Sequence, residues 1–499
     1  MDVKGLTRWL AALFALVLLL PAAQAQAQHP ASAKVPIDMR AADWLARAAP
    51  GDRATFLIGL RDDGTHALAS RAGAISTKQE RRARLQHLLA ARASRNQTAL
   101  QAFLQGNGLG GQVEAITAFQ SFSGFSLRAT PSVIEVLRGW EQVASIELER
   151  QTWLDTVRPN ALRAAPAQTG TVEWNVVKIG ADRVHSGLGI TGAGVVVGGL
   201  DTGVRASHSA LRANYRCAGG SNSACWKDAV GNQPAPYDDN GHGTHTLGTA
   251  AGAGGIGVAP GATWIACKAY NLLGSALDTD ILECFDWFLA PGGNSANAPD
   301  VINNSWSSLL GFSPVFQQAL ASWANAGIVA VFSNGNNGPL CGTVGAPASF
   351  ASVISTGATG SNDTIAPTSS RGPALLGGVK PDLSAPGVDI RSAWYTGDNS
   401  FFVLSGTSMA APHTTGLAAL LLEASPSLTI AQIGANLRAN ALGIPTANLC
   451  GSSGVPNNVY GWGRIRAYQS VQAALAGATT MQTGRLTVPA FGKHPGALR

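Results

Sequence analysis

Charged residues are scarce in this sequence: they make up 13% of its 499 residues, about half of their share in average proteins. Apolar residues make up 45%, which excludes wholesale disorder because so many apolar side chains can bury a large core. The 59 glycines follow no G-x-y repeat, which excludes collagen, and no heptad pattern is sustained, which excludes a long coiled coil. The composition predicts glycine-rich globular domains.

Long apolar runs are also lacking. The longest, residues 10–20, has eleven residues, whereas a membrane-spanning helix needs about 20. Lys4 and Arg8 precede this run and a small-x-small pattern follows it at 23–27, so residues 1–27 are predicted to be a secretory signal peptide. An uncleaved anchor is the alternative. We therefore expect an exported protein, extracellular or periplasmic, with no membrane contact after signal removal.

Cysteine is absent from the first 216 residues and occurs six times thereafter. An even number of cysteines in an exported protein favours disulfide bonds, and 15 pairings are possible for six. No CxxC pair occurs, so the metal-binding alternative is weak. The cysteines are Cys217, Cys225, Cys267, Cys284, Cys341 and Cys450.

The first third of the chain forms a compositional block of its own. Residues 28–150 are rich in arginine and alanine, and their apolar pattern predicts a strand at 56–60 and a long polar helix at 77–105 within a small α+β unit. Residues 151–171 are expected to form a linker with the processing site, and their Ala/Pro/Thr-rich stretch at 158–171 is expected to be exposed and open to proteolysis.

The pattern changes between residues 172 and 474, where apolar runs of strand length alternate with helical segments. This alternation predicts a doubly wound, mostly parallel α/β sheet with helices on both faces, and such sheets bind ligands at the carboxyl ends of their strands. Residues 475–499 are expected to form a polar tail. The strand candidates are 195–200, 263–270, 301–303, 328–332 and 353–356, and the helix candidates are 277–289, 314–326, 407–424 and 429–440.

Asp201 directly follows the first of these predicted strands, so its carboxylate is expected at the ligand-binding edge of the sheet. On its own such a residue can also cap a helix. The sequence Asp-Thr-Gly is typical of aspartic proteases as well, but these enzymes need a second, equivalent acid that shares a proton. No second Asp-Thr-Gly or Asp-Ser-Gly occurs.

Two further side chains are candidates for nucleophilic chemistry. His242 lies between two glycines, which let another segment approach its imidazole closely. His245 makes a metal site the alternative, but metalloprotease helices carry His-Glu-x-x-His. Ser408 lies at the start of a long apolar helix, where the dipole favours developing negative charge, or it is a simple N-cap. An esterase elbow would need glycine in place of Ala410.

The chain order Asp, His, Ser is one of the known orders of a serine-protease triad. The motifs at 201–204, 240–245, 257–260, 380–387 and 406–413 resemble those of subtilisin-family serine endopeptidases, and the resemblance covers residues 172–471. It implies that Ser408 attacks the peptide bond to form an acyl-enzyme, that His242 is the base, and that Asp201 orients the histidine. A catalytically silent peptide-binding protein of this fold and a lipase- or esterase-type hydrolase are the alternatives.

The resemblance also implies an oxyanion site and a substrate cleft. Asn336 matches the side-chain donor of the oxyanion site, with Asn334 and Asn337 as alternatives. Trp306 is expected to crowd the outer subsites, and an uncharged pocket implies no requirement for a basic residue before the scissile bond. The residues matched to substrate binding are Ser305, Trp306, Ser307, Gly335, Asn337 and Gly345.

No catalytic cofactor or metal is implied. The tight calcium site of many family members is expected to be absent, because residues 204–210 carry no acid and the loop at 252–255 is too short. Asp238 and Asp239 are expected to lie in a solvated acidic loop rather than at a calcium site. The glycines of 252–257 match a dinucleotide-binding pattern formally, but they follow a predicted helix rather than a strand.

Residues 28–150 resemble the inhibitory pro-domain of the family. The resemblance implies that this block assists folding, occupies the active site and is then cut off by Ser408 between Arg150 and Thr171. Protein and peptide substrates and the pro-domain itself are the expected partners of a monomeric enzyme. Nucleic acid is not expected, since residues 1–171 hold 19 Lys+Arg against 13 Asp+Glu, whereas residues 172–474 hold 13 against 16.

Overall fold

The computed structural model describes residues 34–61, 63–65, 67, 77–154, 163–165, 171–309 and 313–483. The predicted signal peptide and the end of the predicted tail lie outside the described residues. Within these ranges, no helix combines the length and the hydropathy that a membrane span requires.

The N-terminal unit is an antiparallel sheet of four strands in the order β2–β3–β1–β4, covered by helices. Its core joins strand residues such as Phe56 and Phe125 to Leu100 and Leu104 of the long helix. Thr77 and Glu80 form a capping box at the start of that helix, which satisfies backbone N–H groups at its first turn. The elements are α1 (Met39–Arg47), β1 (Ala54–Leu60), α2 (Lys78–Gly106), β2 (Val113–Phe119), β3 (Gly124–Ala129), α3 (Pro131–Leu137) and β4 (Val143–Leu148).

The chain then adds two short strands that pair with the following domain. β5 (Gln151–Trp153) runs antiparallel to β10 (Ser275–Leu277), and β6 (Arg163–Ala165) runs antiparallel to β16 (Phe401–Leu404). The described parts of the predicted linker are therefore paired with the domain. The sequence did not indicate this pairing, because a strand's pairing partner more than 100 residues away leaves no local signal.

The second unit is built on seven parallel strands in the order β14–β13–β12–β11–β7–β9–β8. This confirms the predicted parallel α/β sheet, and the near-continuous burial of its strands explains their unbroken apolar runs. The remaining strands are β7 (Val196–Asp201), β8 (Trp226–Asp228), β9 (Thr263–Lys268), β11 (Val301–Asn304), β12 (Val329–Ser333), β13 (Ile354–Thr359), β14 (Leu383–Pro386), β15 (Ile390–Ala393), β17 (Thr446–Leu449) and β18 (Ser452–Gly454).

Two central helices bring their N-termini to the carboxyl ends of these strands. α6 (His242–Ala251) is buried along its whole length, and α9 (Thr407–Ala424) is buried through Leu422. The last helix, α11 (Ala467–Thr483), continues past residue 474, so the first nine residues of the predicted tail are helical. The other helices are α4 (Trp174–Ile179), α5 (Ala181–Leu188), α7 (Asp278–Leu289), α8 (Pro314–Asn325) and α10 (Ile430–Ala439).

All six cysteines are paired. Cys217 bonds Cys225 in a short loop, and Cys267 on β9 bonds Cys284 on α7. Cys341 bonds Cys450 across 109 residues. The expectation of disulfides is confirmed, and the structure supplies the pairing that the sequence left open.

The long-range disulfide should stabilise the protein most. Chain entropy assigns about 4.8 kcal/mol to a closed loop of this length and about 2.5 kcal/mol to the eight-residue loop. We expect Cys341→Ser/Cys450→Ser to lower the melting temperature more than the control pair Cys217→Ser/Cys225→Ser, as measured by calorimetry on a Ser408→Ala background. An equal or reversed order would contradict this ranking.

Candidate active site

Three elements carry the residues that the sequence singled out. Asp201 is the last residue of β7, His242 is the first of α6, and Ser408 is the second of α9. Each is at most 3% exposed. The imidazole Nδ1 of His242 lies 2.7 Å from Oδ1 of Asp201, so the sheet edge and the helix start meet in a direct hydrogen bond.

The Asp201 carboxylate is held from two further directions. The backbone N–H of Thr202 donates to Oδ1 at 2.8 Å, and the hydroxyl of Thr246 donates to Oδ2 at 3.3 Å. Close backbone approach makes this possible: a Cβ at Gly243 would lie 2.2 Å from the carbonyl oxygen of Gly203. A side chain at 243 would therefore push α6 away from β7.

Ser408 lies in the first turn of α9, where backbone N–H groups lack intrahelical partners. Its hydroxyl donates to the carbonyl oxygen of Ser305 at 3.2 Å, and the hydroxyl of Ser305 donates to the carbonyl oxygen of Ser408 at 2.8 Å. The structure thus ties the helix start to the segment after β11, which was matched to substrate binding. A hydroxyl can rotate between partners, and catalytic hydrogen bonds often tighten only in complexes.

The side chain of Asn336 has a defined orientation. Its Oδ1 accepts hydrogen bonds from the backbone N–H of Thr407 at 2.9 Å and from the Thr407 hydroxyl at 3.0 Å. Because the backbone N–H can only donate, the oxygen must face Thr407 and the amide nitrogen must face elsewhere. Asn334, by contrast, is fully buried and donates its amide to the carbonyl of Ser370 at 2.7 Å.

The predicted pocket residues come together beside this segment. A Cβ at Gly335 would lie 3.1 Å from Oγ of Ser307, and a Cβ at Gly345 would lie 3.0 Å from the same atom. The hydroxyl of Ser370 accepts a hydrogen bond from the backbone N–H of Asn337. The structure therefore brings Ser307, Gly335, Asn337 and Gly345 to one uncharged wall.

Trp306 is expected from the sequence to crowd the outer subsites, and the structure places its indole in the core behind them. Its indole is 2% exposed and packs against the rings of Phe332, Tyr270 and Phe316. The ring also borders a cavity of about 20 Å³ whose other walls include Thr152 of β5. Burial of a large aromatic surface explains this position, so Trp306 mainly supports the cleft from the core.

The sequence suggested that Asp238 lies in a solvated loop, but its carboxylate is held by hydrogen bonds within the protein. It accepts hydrogen bonds from the backbone N–H groups of Asn240, Gly241 and Thr244, and from the hydroxyls of Thr202 and Thr244. Burial raises the pKa of Asp238, while these donors lower it. It joins the start of α6 to the residue after Asp201 and thereby positions the Asp201–His242 pair. The pattern Asp-x-Asn-Gly-His contains an Asx-type cap signal that could have identified it.

Lys268 was missed because lysine is rarely fully buried. Its ammonium donates to the carbonyl oxygens of Thr202 and Tyr270 and to the carboxylate of Asp239, each at 2.7–2.9 Å. These contacts fix the loop that follows β7. Asp239 is exposed, as the sequence suggested, and it also forms a salt bridge with Lys268.

His245 and His413 are fully buried and lie in hydrogen bonds with backbone carbonyls. Nε2 of His245 lies 3.1 Å from the carbonyl oxygens of Ile390 and Phe402, so this nitrogen is protonated. Nδ1 of His413 lies 2.8 Å from the carbonyl oxygen of Met409. Across the described ranges, no three His, Cys, Asp or Glu side chains are grouped to hold a metal ion.

Comparison with known proteins identifies the family. A sequence profile described as "Subtilase family" matches residues 192–463, more than half of the chain. The chain belongs to the subtilase family. This match includes Asp201, His242, Asn336 and Ser408, and the matched part is a serine endopeptidase domain.

Individual subtilases extend the similarity beyond this domain. The chain is 33% identical to bacillopeptidase F of Bacillus subtilis (strain 168) over 480 residues, which is 89% of this chain and 33% of that protein. It is 32% identical to the M-protease of Shouchella clausii (strain KSM-K16) over 345 residues, 68% of this chain and 80% of that protein. It is 35% identical to subtilisin Savinase of Lederbergia lenta over 286 residues, 56% of this chain and 96% of that protein. The chain thus spans about a third of bacillopeptidase F.

The buried histidine beside the site makes stability depend on pH. Burial, followed by the positive charge of a protonated His242, lowers the pKa of His245 from 6.5 to about 3. The folded protein therefore keeps His245 neutral, while the unfolded chain takes up a proton below about pH 6.5. This contribution to stability is complete above pH 6.5 and is lost as the pH falls toward 3.

His245→Gln should remove this pH dependence. Between pH 6 and 4 we expect the free energy of unfolding of the parent to fall by about 1.4 kcal/mol per pH unit more than that of the variant. Denaturant unfolding on a Ser408→Ala background measures the difference, and the two curves should run parallel above pH 7. Equal slopes at all pH values would contradict the assignment.

Proposed function

We propose that the chain is an exported serine endopeptidase that uses Asp201, His242 and Ser408 as its triad. The observation that carries this proposal is the 2.7 Å contact between Nδ1 of His242 and the Asp201 carboxylate. With Nδ1–H donating to Asp201, the lone pair of the neutral imidazole is on Nε2, the atom that a general base needs. A serine hydroxyl is a weak nucleophile without such a base.

The reaction then runs in two steps. In the first, His242 takes the proton of Ser408 as its Oγ attacks the peptide carbonyl, and it passes this proton to the leaving amine, which leaves an acyl-enzyme. In the second, His242 activates a water molecule that hydrolyses the ester. Asp201 stabilises the imidazolium in both steps.

Asn336 and the backbone N–H of Ser408 are the proposed donors to the oxyanion. The orientation of Asn336 supports this role, since Thr407 occupies its oxygen and a Cβ at Gly406 would lie 3.2 Å from its Nδ2. Glycine at 406 therefore leaves the amide nitrogen accessible from this side.

Asn336→Leu should lower kcat by about 10²–10³-fold with a small change in KM, because the amide bonds the oxyanion rather than the ground-state carbonyl. Steady-state kinetics on a chromogenic peptide measure the effect. A melting temperature close to that of the parent shows that the fold is kept. A folded variant with unchanged kcat would contradict this role.

The N-terminal unit is proposed to be an intramolecular inhibitor and folding aid. Its contact with the catalytic domain is specific: the carboxylate of Asp286 on α7 accepts the backbone N–H groups of Gln120 and Ser121 at 2.7 and 2.6 Å. The β5 strand follows and pairs with β10. Strand addition of this kind is how extended peptides bind sheet edges, so the segment occupies the groove as a substrate would.

Ser408→Ala should accumulate as the uncleaved chain, because the proposed cut between Arg150 and Thr171 is made by Ser408 itself. Mass spectrometry and gel electrophoresis of the purified protein measure processing. Ser425→Ala, at the other end of the same helix, is the matched control and should mature normally. Normal maturation of purified Ser408→Ala would refute self-processing.

We further propose that the uncharged wall formed by Ser307, Asn337 and Gly345 sets no requirement for a basic residue before the scissile bond. Catalysis by subtilases needs no cofactor. The tight calcium site is proposed to be absent, which is supported by Arg205: it stands in the acid-free segment and binds Asp398 at 2.7 Å. The enzyme is proposed to act as a monomer on proteins and peptides in the extracellular space or the periplasm.

A further inference from the structure

The groove beside β10, in which β5 lies, contains a buried ion pair that the proposed mechanism does not use. Nε of Arg150 lies 2.9 Å from Oδ2 of Asp278, the first residue of α7. The Arg150 side chain is 13% exposed and that of Asp278 is 2% exposed. The arginine comes from the N-terminal unit and the acid from the catalytic domain, so the pair joins the two units.

Arg150 lies in the same extended segment as the β5 strand. The backbone N–H of Asp278 donates to the carbonyl oxygen of Arg150 at 3.0 Å, and the N–H of Leu154 donates to the carbonyl oxygen of Gly274 at 2.8 Å. Between these ends Thr152 pairs with Ala276. Residues 150–154 thus bind in the manner of a peptide substrate, and Arg150 shows where an outer substrate side chain is placed.

Side chains alternate along such a strand, so Arg150 and Thr152 point to the same side. Both border the cavity of about 20 Å³, with Asp278, Trp306 and Phe316 among its other walls. Phe316 and Trp306 give the cavity an apolar side, and Asp278 gives it a negative charge. This combination suits the apolar stem and the cationic head of an arginine.

Asp278 has bonding capacity left in this arrangement. Its Oδ1 is buried and, among the described residues, has no hydrogen-bond partner. A guanidinium can bond both oxygens of a carboxylate, whereas an ammonium acts as a point charge. Arg150 also lies 3.8 Å from Glu147, but Glu147 belongs to the N-terminal unit and would leave with it.

Removal of the N-terminal unit would therefore take away the cation and leave the acid. A carboxylate that lies in a groove without its partner has an unfavourable environment, which a matching cation relieves. We propose that Asp278 is a specificity-determining residue of the mature enzyme, selecting an arginine in the substrate at the outer position that Arg150 occupies here. This inference rests on the proposed endopeptidase function and concerns a position several residues before the scissile bond.

An arginine scan tests the proposal. Each peptide of the set carries a single arginine and no other charged residue. The position of that arginine varies from three to eight residues before the scissile bond, and a peptide with glutamine at the same position is the reference. For the mature enzyme we expect one outer position at which arginine raises kcat/KM about 10-fold or more over glutamine, the size of a hydrogen bond to a charged group, with lysine giving less.

Two variants assign the effect to a residue. In Asp278→Asn, the kcat/KM for the arginine peptide divided by that for the glutamine peptide should fall to near one. In Glu283→Gln, this ratio should stay at its wild-type value. Glu283 is a matched control because it lies on the same helix and pairs with Lys227 at the surface. If Asp278→Asn does not fold, the scan on the wild-type enzyme decides alone.

The outcomes separate this inference from the function on which it rests. A wild-type enzyme that cleaves the peptides but shows no arginine preference at any outer position would overturn the inference, and the ion pair would then serve only to dock the N-terminal unit. Retention of the preference in Asp278→Asn would also overturn it. A wild-type enzyme that cleaves none of the peptides would contradict the endopeptidase function, and the inference would fall with it.

Discussion

The hydrogen bond between Asp201 and His242 sets the constraint on which the rest of the site depends. It is buried, so neither partner can be replaced by water without a large cost. To form it, the end of β7 and the start of α6 must meet at backbone contact, which Gly243 permits. Asp238 is bonded to Gly241 and Thr244 at the start of α6, and Lys268 is bonded to the carbonyl oxygen of Thr202 directly after β7. These two charged residues thus support the geometry of the Asp201–His242 pair.

The same sheet edge also brings together the residues that are proposed to bind the polypeptide substrate. α9 brings Ser408 to the segment after β11, and reciprocal hydrogen bonds with Ser305 lock the two together. Residues 151–153 pair with β10, and Thr152 borders the same small cavity as Trp306, which follows Ser305. Under the proposed function, catalysis and inhibition would use one surface, since the strand that pairs with β10 belongs to the chain itself.

Much of this arrangement could be predicted from the sequence, because strong local signals mark it. Unbroken apolar runs predicted the parallel strands, and the motifs around Asp201 and His242 predicted two side chains that form a direct hydrogen bond. The cysteine pairing, the β5–β10 pairing and the Arg150–Asp278 contact could not be predicted, since each joins segments that carry no local signal of their partner. Lys268 was missed because lysine is rarely fully buried, and its hydrogen bonds to Thr202, Asp239 and Tyr270 overrode that rule.

The central claim is that Ser408 is the nucleophile activated by His242. The most direct measurement is labelling of the purified enzyme with an organofluorophosphate, followed by peptide mapping by mass spectrometry. The account predicts one stoichiometric label on Ser408, loss of activity in step with labelling, and no label in His242→Ala. Label on a different serine, or full activity after Ser408 is modified, would contradict it.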